Sequence, residues 1–154
     1  MDVILIKKFK NFKKKGEKNM GYFKDKEEFY QILETFFNRL KDNPEIGPKV
    51  IESGLIIQFQ YEEPDALITV DCPGNRVITG ETDLKPDVEM KMKADIAHRF
   101  WLGKVNLMVA ITKGDIKAKG PIPKIMKLLP IIKGAYAIYK DYLKEIGRED
   151  LIVE

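Results

Sequence analysis

The sequence predicts an α+β domain in which helices lie over one face of an antiparallel sheet. Three observations carry this. Apolar residues recur at helical spacing from Phe29 to Leu40, alternation between apolar and polar residues follows between Leu55 and Lys93, and short helical patterns broken by Pro and Gly fill the rest. A strand that alternates so cleanly has one wet face and one apolar face, as in an antiparallel sheet covered on one side only. With 154 residues, 44% of them apolar and 33% charged, the chain has the size and balance of one ordinary soluble globular domain. No apolar run approaches the roughly 20 residues that cross a bilayer.

The first 19 residues stand apart from the rest. They hold seven lysines against Asp2 and Glu17, a net of +5, within an overall formal charge of +3, so residues 20–154 carry −2. The basic character belongs to the tail, and the expected folded domain, residues 20–154, is close to neutral. A nucleic-acid domain carries its positive field on the fold itself, so no nucleic-acid partner is expected. The tail is open to three readings: a solubilising charge block, an interfacial anchor with Leu5, Phe9 and Phe12 on one helical face, or a segment upstream of a true start at Met20. The second would give transient membrane contact. A secretory signal is excluded by the order of its basic and apolar parts.

Asp25, with Glu28 three residues later, opens a helix as a capping box. Phe29, Ile32, Leu33, Phe36, Phe37 and Leu40 give that helix a wide apolar face. Asn43-Pro44 ends it, and Pro44 opens a short turn of helix through about Ser53. Beyond Gly54, Leu55, Ile57, Phe59 and Tyr61 alternate with Ile56, Gln58 and Gln60. Glu63-Pro64-Asp65 turns the chain into Ala66–Asp71, and Pro73-Gly74-Asn75 turns it again into Arg76–Gly80. Val88, Met90 and Met92 then alternate with Glu89, Lys91 and Lys93.

Asp95 reads as the N-cap of a helix through Leu102, closed by Gly103. Asn106 caps a second short helix that ends near Thr112. Asp115–Lys119 is a strand, Pro121 or Pro123 starts a helix interrupted by Pro130, and the last helix runs from about Gly134 to Ile146.

Reactive side chains are few: one cysteine (Cys72), one histidine (His98) and one serine (Ser53). A lone cysteine excludes an intramolecular disulfide and fits a reducing compartment, so a cytoplasmic location is expected. Cys72 and His98 together fall short of the four ligands of a structural zinc. Ser53 lacks a nucleophile-elbow context. Acid–base chemistry from Asp, Glu or Lys stays open, but no catalytic residue, metal or cofactor is expected. His98, beside Arg99, reads as a solvated or capping histidine, and Cys72 as a small residue next to a turn. Lys104, Lys113 and Lys124 read as solvated lysines, with a role at a pocket mouth as the alternative.

From Asp95 to Leu129 the chain resembles the sterol carrier protein-2 family. The matching features are Asp95 opening a helix, Gly103-Lys104-Val105-Asn106, Gly114-x-Ile116-x-x-x-Gly120 around a strand, and Lys127-Leu128. The upstream order agrees, with Pro86-Asp87-Val88 before a strand, so the likeness covers roughly residues 25–147. Phe100-Trp101-Leu102-Gly103-Lys104-Val105-Asn106-Leu107 is similar to the prokaryotic single-domain branch. Many members have Pro where this chain has Leu107, and the last residues, Leu151-Ile152-Val153-Glu154, differ from the targeting tripeptide of peroxisomal members.

What the resemblance implies is a five-stranded, mostly antiparallel sheet with one face covered by helices that enclose an apolar cavity. It implies a non-catalytic carrier of fatty acids, acyl-CoA, isoprenoid or sterol-like molecules. The expected lining is Phe36, Met90, Met92, Trp101, Leu107, Met108, Ile111, Ile125, Leu128, Leu129 and Ile132. The alternative is a protein–protein interaction module, or an accessory subunit of an enzyme acting on a hydrophobic substrate. Periodicity cannot separate a filled core from a cavity, since the same residue types line both.

Overall fold

The computed structural model describes residues 21–153. The basic segment 1–19, with its three readings, lies outside the described residues. Helix α1 (Lys26–Asp42) begins as its sequence predicts: the Asp25 side chain accepts from the Glu28 N–H at 2.9 Å. The reciprocal half of the box is shifted by one residue, because Glu28 takes the N–H of Lys24. The Asn43 side chain caps the chain beyond α1, accepting from Glu45 and Ile46 N–H, so helix α2 (Gly47–Ile51) starts later than Pro44.

Strands β1 (Ile56–Glu62), β2 (Ala66–Asp71) and β3 (Arg76–Thr79) form the expected meander. Then β4 (Val88–Lys93) crosses back to pair in parallel with β1, and β5 (Ile116–Lys119) pairs antiparallel with β4. The order is β3-β2-β1-β4-β5, five strands with one parallel pair. Asp87 pins that crossover. Its N–H donates to the Ile56 carbonyl at 2.8 Å and its carboxylate accepts the Ile56 N–H at 2.9 Å.

The register puts Ile57, Phe59 and Tyr61 in line with Val70, Ile68 and Ala66 on one side, and with Val88, Met90 and Met92 on the other. This is the covered face. The other face carries Gln58, Gln60 and Thr69, joined by side-chain hydrogen bonds that continue to Glu89, with Lys91, Lys93, Lys117 and Lys119 exposed towards the β5 edge.

Above the covered face lie α3 (Ala94–Trp101), α4 (Leu107–Lys113), α5 (Ile122–Ile132) and α6 (Ala135–Glu145), followed by a 3-10 turn at Glu149–Leu151. Asn106 caps α4 as expected, accepting from Val109 N–H at 3.0 Å. Asp95 does not cap α3. The extended residue before the helix is Lys93, and Asp95 sits in the first turn, where its carboxylate accepts the N–H of Tyr22 at 3.2 Å. A carboxylate there still faces the positive end of the helix dipole.

Pro130 does not interrupt α5 either. It lies in the last turn, and the helix closes at Ile132. Losing one N–H so near the end removes a single intrahelical bond. From α1, Phe29, Ile32, Leu33, Phe36 and Phe37 are buried into the layer between sheet and helices. Each such side chain contributes about 1.5–3 kcal/mol by leaving water.

Candidate functional site

Between the covered face and the helices, the apolar side chains leave two cavities. One, of about 90 Å³, is walled by Phe37, Leu40, Ile46, Val50, Ile57, Phe59, Val70, Cys72, Val77, Trp101, Leu128 and Ile132. The other, of about 50 Å³, is walled by Ile57, Phe59, Tyr61, Met90, Met92, Ala97, Phe100, Trp101, Leu107, Ile116, Ile125, Leu128, Leu129 and Ile132. Ile57, Phe59, Trp101, Leu128 and Ile132 belong to both. The cavities therefore abut, with the Trp101 indole and two α5 side chains as their common wall.

Local sequence explains why space remains. Alternation in β1 and β4 sends Ile57, Phe59, Met90 and Met92 to the covered face. The short helices α3, α4 and α5 bring Trp101, Leu107 and Ile125 over that face at helical spacing, which differs from the two-residue period of the strands. Phe36 and Phe37 hold Trp101 edge-on, with ring centroids 5.1 and 5.6 Å away. Methionine at the sheet floor adds a flexible lining.

Of the residues expected to line a cavity, Met90, Met92, Trp101, Leu107, Ile125, Leu128, Leu129 and Ile132 face one or both. Phe36 is fully buried behind Trp101 and Tyr139 and lines neither. Ile111 is half-buried outside both walls, and Met108 and Val109 on α4 stand 44% and 52% exposed. The α1–α2 corner (Leu40, Ile46, Val50) and Cys72 were missing from the expected lining. Only the tertiary fold carries that corner against the β2–β3 end, and nothing in its local pattern marks it.

Lys41, Asp71, Asn75 and Arg76 also border the larger cavity, whose surface is almost wholly apolar. Asn75 and Arg76 are exposed, so the cavity reaches the surface beside the start of β3. Arg76 donates through Nε to Asp71 at 2.8 Å, and that bond is the main reason the Asp71 carboxyl lies below its usual range. Lys104, Lys113 and Lys124 are exposed and line neither cavity. Burial raises the Cys72 thiol above its ordinary value. The Tyr61 hydroxyl is buried with no hydrogen-bond partner among the described residues, and burial holds it protonated.

His98 is neither solvated nor capping. It is fully buried, with Nε2 at 2.6 Å from the Leu151 carbonyl and Nδ1 at 2.8 Å from the Tyr139 hydroxyl. A carbonyl only accepts, so Nε2 carries the proton and Nδ1 accepts from Tyr139. The ring ties α3 to α6 and to the C-terminal turn, away from both cavities.

A one-sided sheet with apolar space under its helices defines a class of proteins that enclose hydrophobic molecules. The model of the SCP-2 sterol transfer family matches residues 33–133, and the chain belongs to that family. Lipid binding and transfer is thereby its class of function. Among solved structures, the chain is similar to sterol carrier protein 2 from Yarrowia lipolytica, at 18% identity over 70% of this chain and 88% of that one, with a TM-score of 0.54. The sterol carrier protein domain 2 of Helicoverpa armigera matches at 21% identity over 71% and 86%, with a TM-score of 0.56. The UbiJ-SCP2 ubiquinone synthesis protein matches at 15% over 67% and 87%, with a TM-score of 0.53. No curated protein matches the chain. At these identities the structures share the fold.

Proposed function

We propose that this protein is a non-catalytic cytoplasmic carrier that holds one fatty acid, acyl-CoA, isoprenoid or sterol-like molecule between its sheet and helices. The observation that carries this reading is the pair of abutting apolar cavities with Trp101, Leu128 and Ile132 in their common wall. The residues lining them are proposed to contact the cargo. An acyl chain that hides about 400 Å² of apolar area gains on the order of 10 kcal/mol. Association and ordering cost several kcal/mol of this, which leaves an affinity compatible with release.

The two cavities, about 90 and 50 Å³, are small beside the roughly 300–1,000 Å³ of ordinary ligand pockets. Cargo enters, on this reading, by moving wall side chains outward. The methionines and the half-buried residues of α5 give most readily. A further part of the proposal is that the lysines of residues 1–19 bring the carrier to anionic bilayers.

A second reading is presentation of a hydrophobic substrate to a partner enzyme. The exposed Met108 and Val109, next to the cavity-lining Leu107, favour it, and one protein sharing the fold is a ubiquinone synthesis protein.

Native mass spectrometry followed by organic extraction tests the carrier reading. The expected result is an adduct of lipid mass at one per chain, greatly reduced in Leu128→Trp, whose indole would fill the shared wall at an overpacking cost of about 1–3 kcal/mol. An unliganded mass, together with no response of Trp101 fluorescence to added fatty acid or acyl-CoA, would overturn it. Full adduct occupancy in a folded Leu128→Trp would move the site elsewhere.

A further inference from the structure

We infer that the α4–α5 surface docks on anionic lipid bilayers, with Met108 and Val109 entering the bilayer among lysines that stay at its head groups. Among the described residues three large apolar side chains are exposed, and two of them, Met108 at 44% and Val109 at 52%, are consecutive on α4. Leu107 and Ala110 hold the other side of this helix in the core, which turns Met108 and Val109 outward.

Charge selects what covers this pair. Residues 104–133 hold seven lysines and a single carboxylate, Asp115, a net of +6. Residues 20–154 carry −2 in all, so the rest of that span carries −8. The near-neutral total of the folded domain thus hides a basic region built from α4, β5 and α5. Lys104, Lys113, Lys124 and Lys127 are all exposed, and the one carboxylate lies 3.8 Å from the Lys113 ammonium. Like charge keeps away residues 1–19, at +5, and the same surface of a second copy. Lysine is also depleted from protein–protein interfaces. At a bilayer it keeps its ammonium among hydrated phosphates while its stem lies along apolar surface.

The position of the surface gives docking a use. Leu107, next to Met108, lines the smaller cavity together with Ile116 of β5 and Ile125 and Leu129 of α5. The three basic elements are therefore neighbours around that cavity, and docking sets the seam between α4 and α5 against the bilayer. A guest that crosses this seam passes between bilayer and cavity without entering water. The surface and the lysines of residues 1–19 act as two linked contacts, each weak by itself.

The test uses the full chain with Cys72→Ala and a polarity-sensitive fluorophore on Val109→Cys or, beyond β3 at the opposite edge of the sheet, on the exposed Glu81→Cys. Vesicles of phosphatidylserine and phosphatidylcholine in equal parts are expected to shift the emission at residue 109 to the blue and to leave that at 81 unchanged. Phosphatidylcholine alone should shift neither, and added salt should reverse the first shift. With Lys104→Gln, Lys113→Gln, Lys124→Gln and Lys127→Gln combined, the half-maximal shift should need about tenfold more vesicle, at an unchanged thermal midpoint. Equal shifts at 109 and 81 would overturn the inference. So would no shift at 109 in protein that floats, which would leave α4 to a protein partner, or the same shift on concentrating the protein without vesicles. A shift at 109 in protein that takes up no lipid would uphold the docking while the carrier reading fell.

Discussion

The imidazole of His98 is fully buried with both ring nitrogens engaged. Burial pushes its pKa down to about 4, and the positive charges of Arg148 and Arg99 act in the same direction against the bond to the Leu151 carbonyl. An unfolded chain binds this proton near pH 6.5. Between pH 6.5 and 4 the unfolded state is therefore protonated where the folded state is not, so stability falls as pH drops through that window. The full loss is on the order of 3 kcal/mol. Below pH 4 both states carry the proton and this loss stops growing. Asp71 is also shifted down, chiefly by its bond from Arg76, and its contribution is lost at lower pH still, below the usual carboxylate value. Urea unfolding from pH 7 to 4.5 should show a steadily falling midpoint, with a flatter profile in His98→Gln. Parallel profiles would mean that His98 does not set the acid sensitivity.

At the scale of elements, the helices differ in how firmly they are held. Helix α1 buries Phe29, Ile32, Leu33, Phe36 and Phe37, and is tied to α6 through a two-bond Arg39–Glu145 pair and Arg39 stacked 4.7 Å over Tyr142. Helix α5 buries only Ile125 and Leu128 and has Pro130 in its last turn. Local opening follows buried contacts, so α5 opens at lower free energy. Hydrogen exchange should be faster at Ile125–Ile132 than at Ile32–Phe37, and bound cargo should slow the first set selectively. Equal protection without cargo would remove α5 as the moving wall.

The sheet has its own weak point at Gly120, where φ is +116° and an added Cβ would meet the Asp87 carbonyl. This close approach lets the end of β5 lie against the start of β4. Gly120→Ala is expected to lose about 1–3 kcal/mol, read as a lower thermal midpoint. An unchanged midpoint would show that this corner relaxes freely.

For the whole molecule, the charge separation within the chain has a consequence. Residues 1–19 carry +5 while residues 20–154 carry −2, and each lysine near an anionic bilayer adds about 1 kcal/mol of attraction. Full-length protein should float with phosphatidylserine vesicles at low salt and detach as salt rises. Replacing the seven lysines of residues 1–19 with glutamine should abolish flotation; retained flotation would place the contact on the folded body instead. Among the described residues no helix is long and apolar enough to cross a membrane.

By itself the sequence determined the fold class, the position of nearly every strand and helix, and caps such as Asp25 and Asn106. These depend on residues within a turn or two of one another, where periodicity and side-chain hydrogen bonds act directly. It also carried part of the cavity floor, because alternation in β4 assigns Met90 and Met92 to the apolar face, but Ile57, Phe59, Tyr61, Val70, Val77 and Ile116 of the floor were not among the expected lining. Tertiary structure decided what depends on distant segments meeting. It placed β4 parallel to β1 through Asp87, and it buried His98 against Tyr139 and Leu151, whose side chain and carbonyl replace the water that a lone histidine otherwise needs. It left space rather than a filled core between sheet and helices, and it brought the α1–α2 corner and the start of β3 to the walls of one cavity. A cavity is volume that non-neighbouring side chains fail to fill, and that volume exists only once the layers have closed.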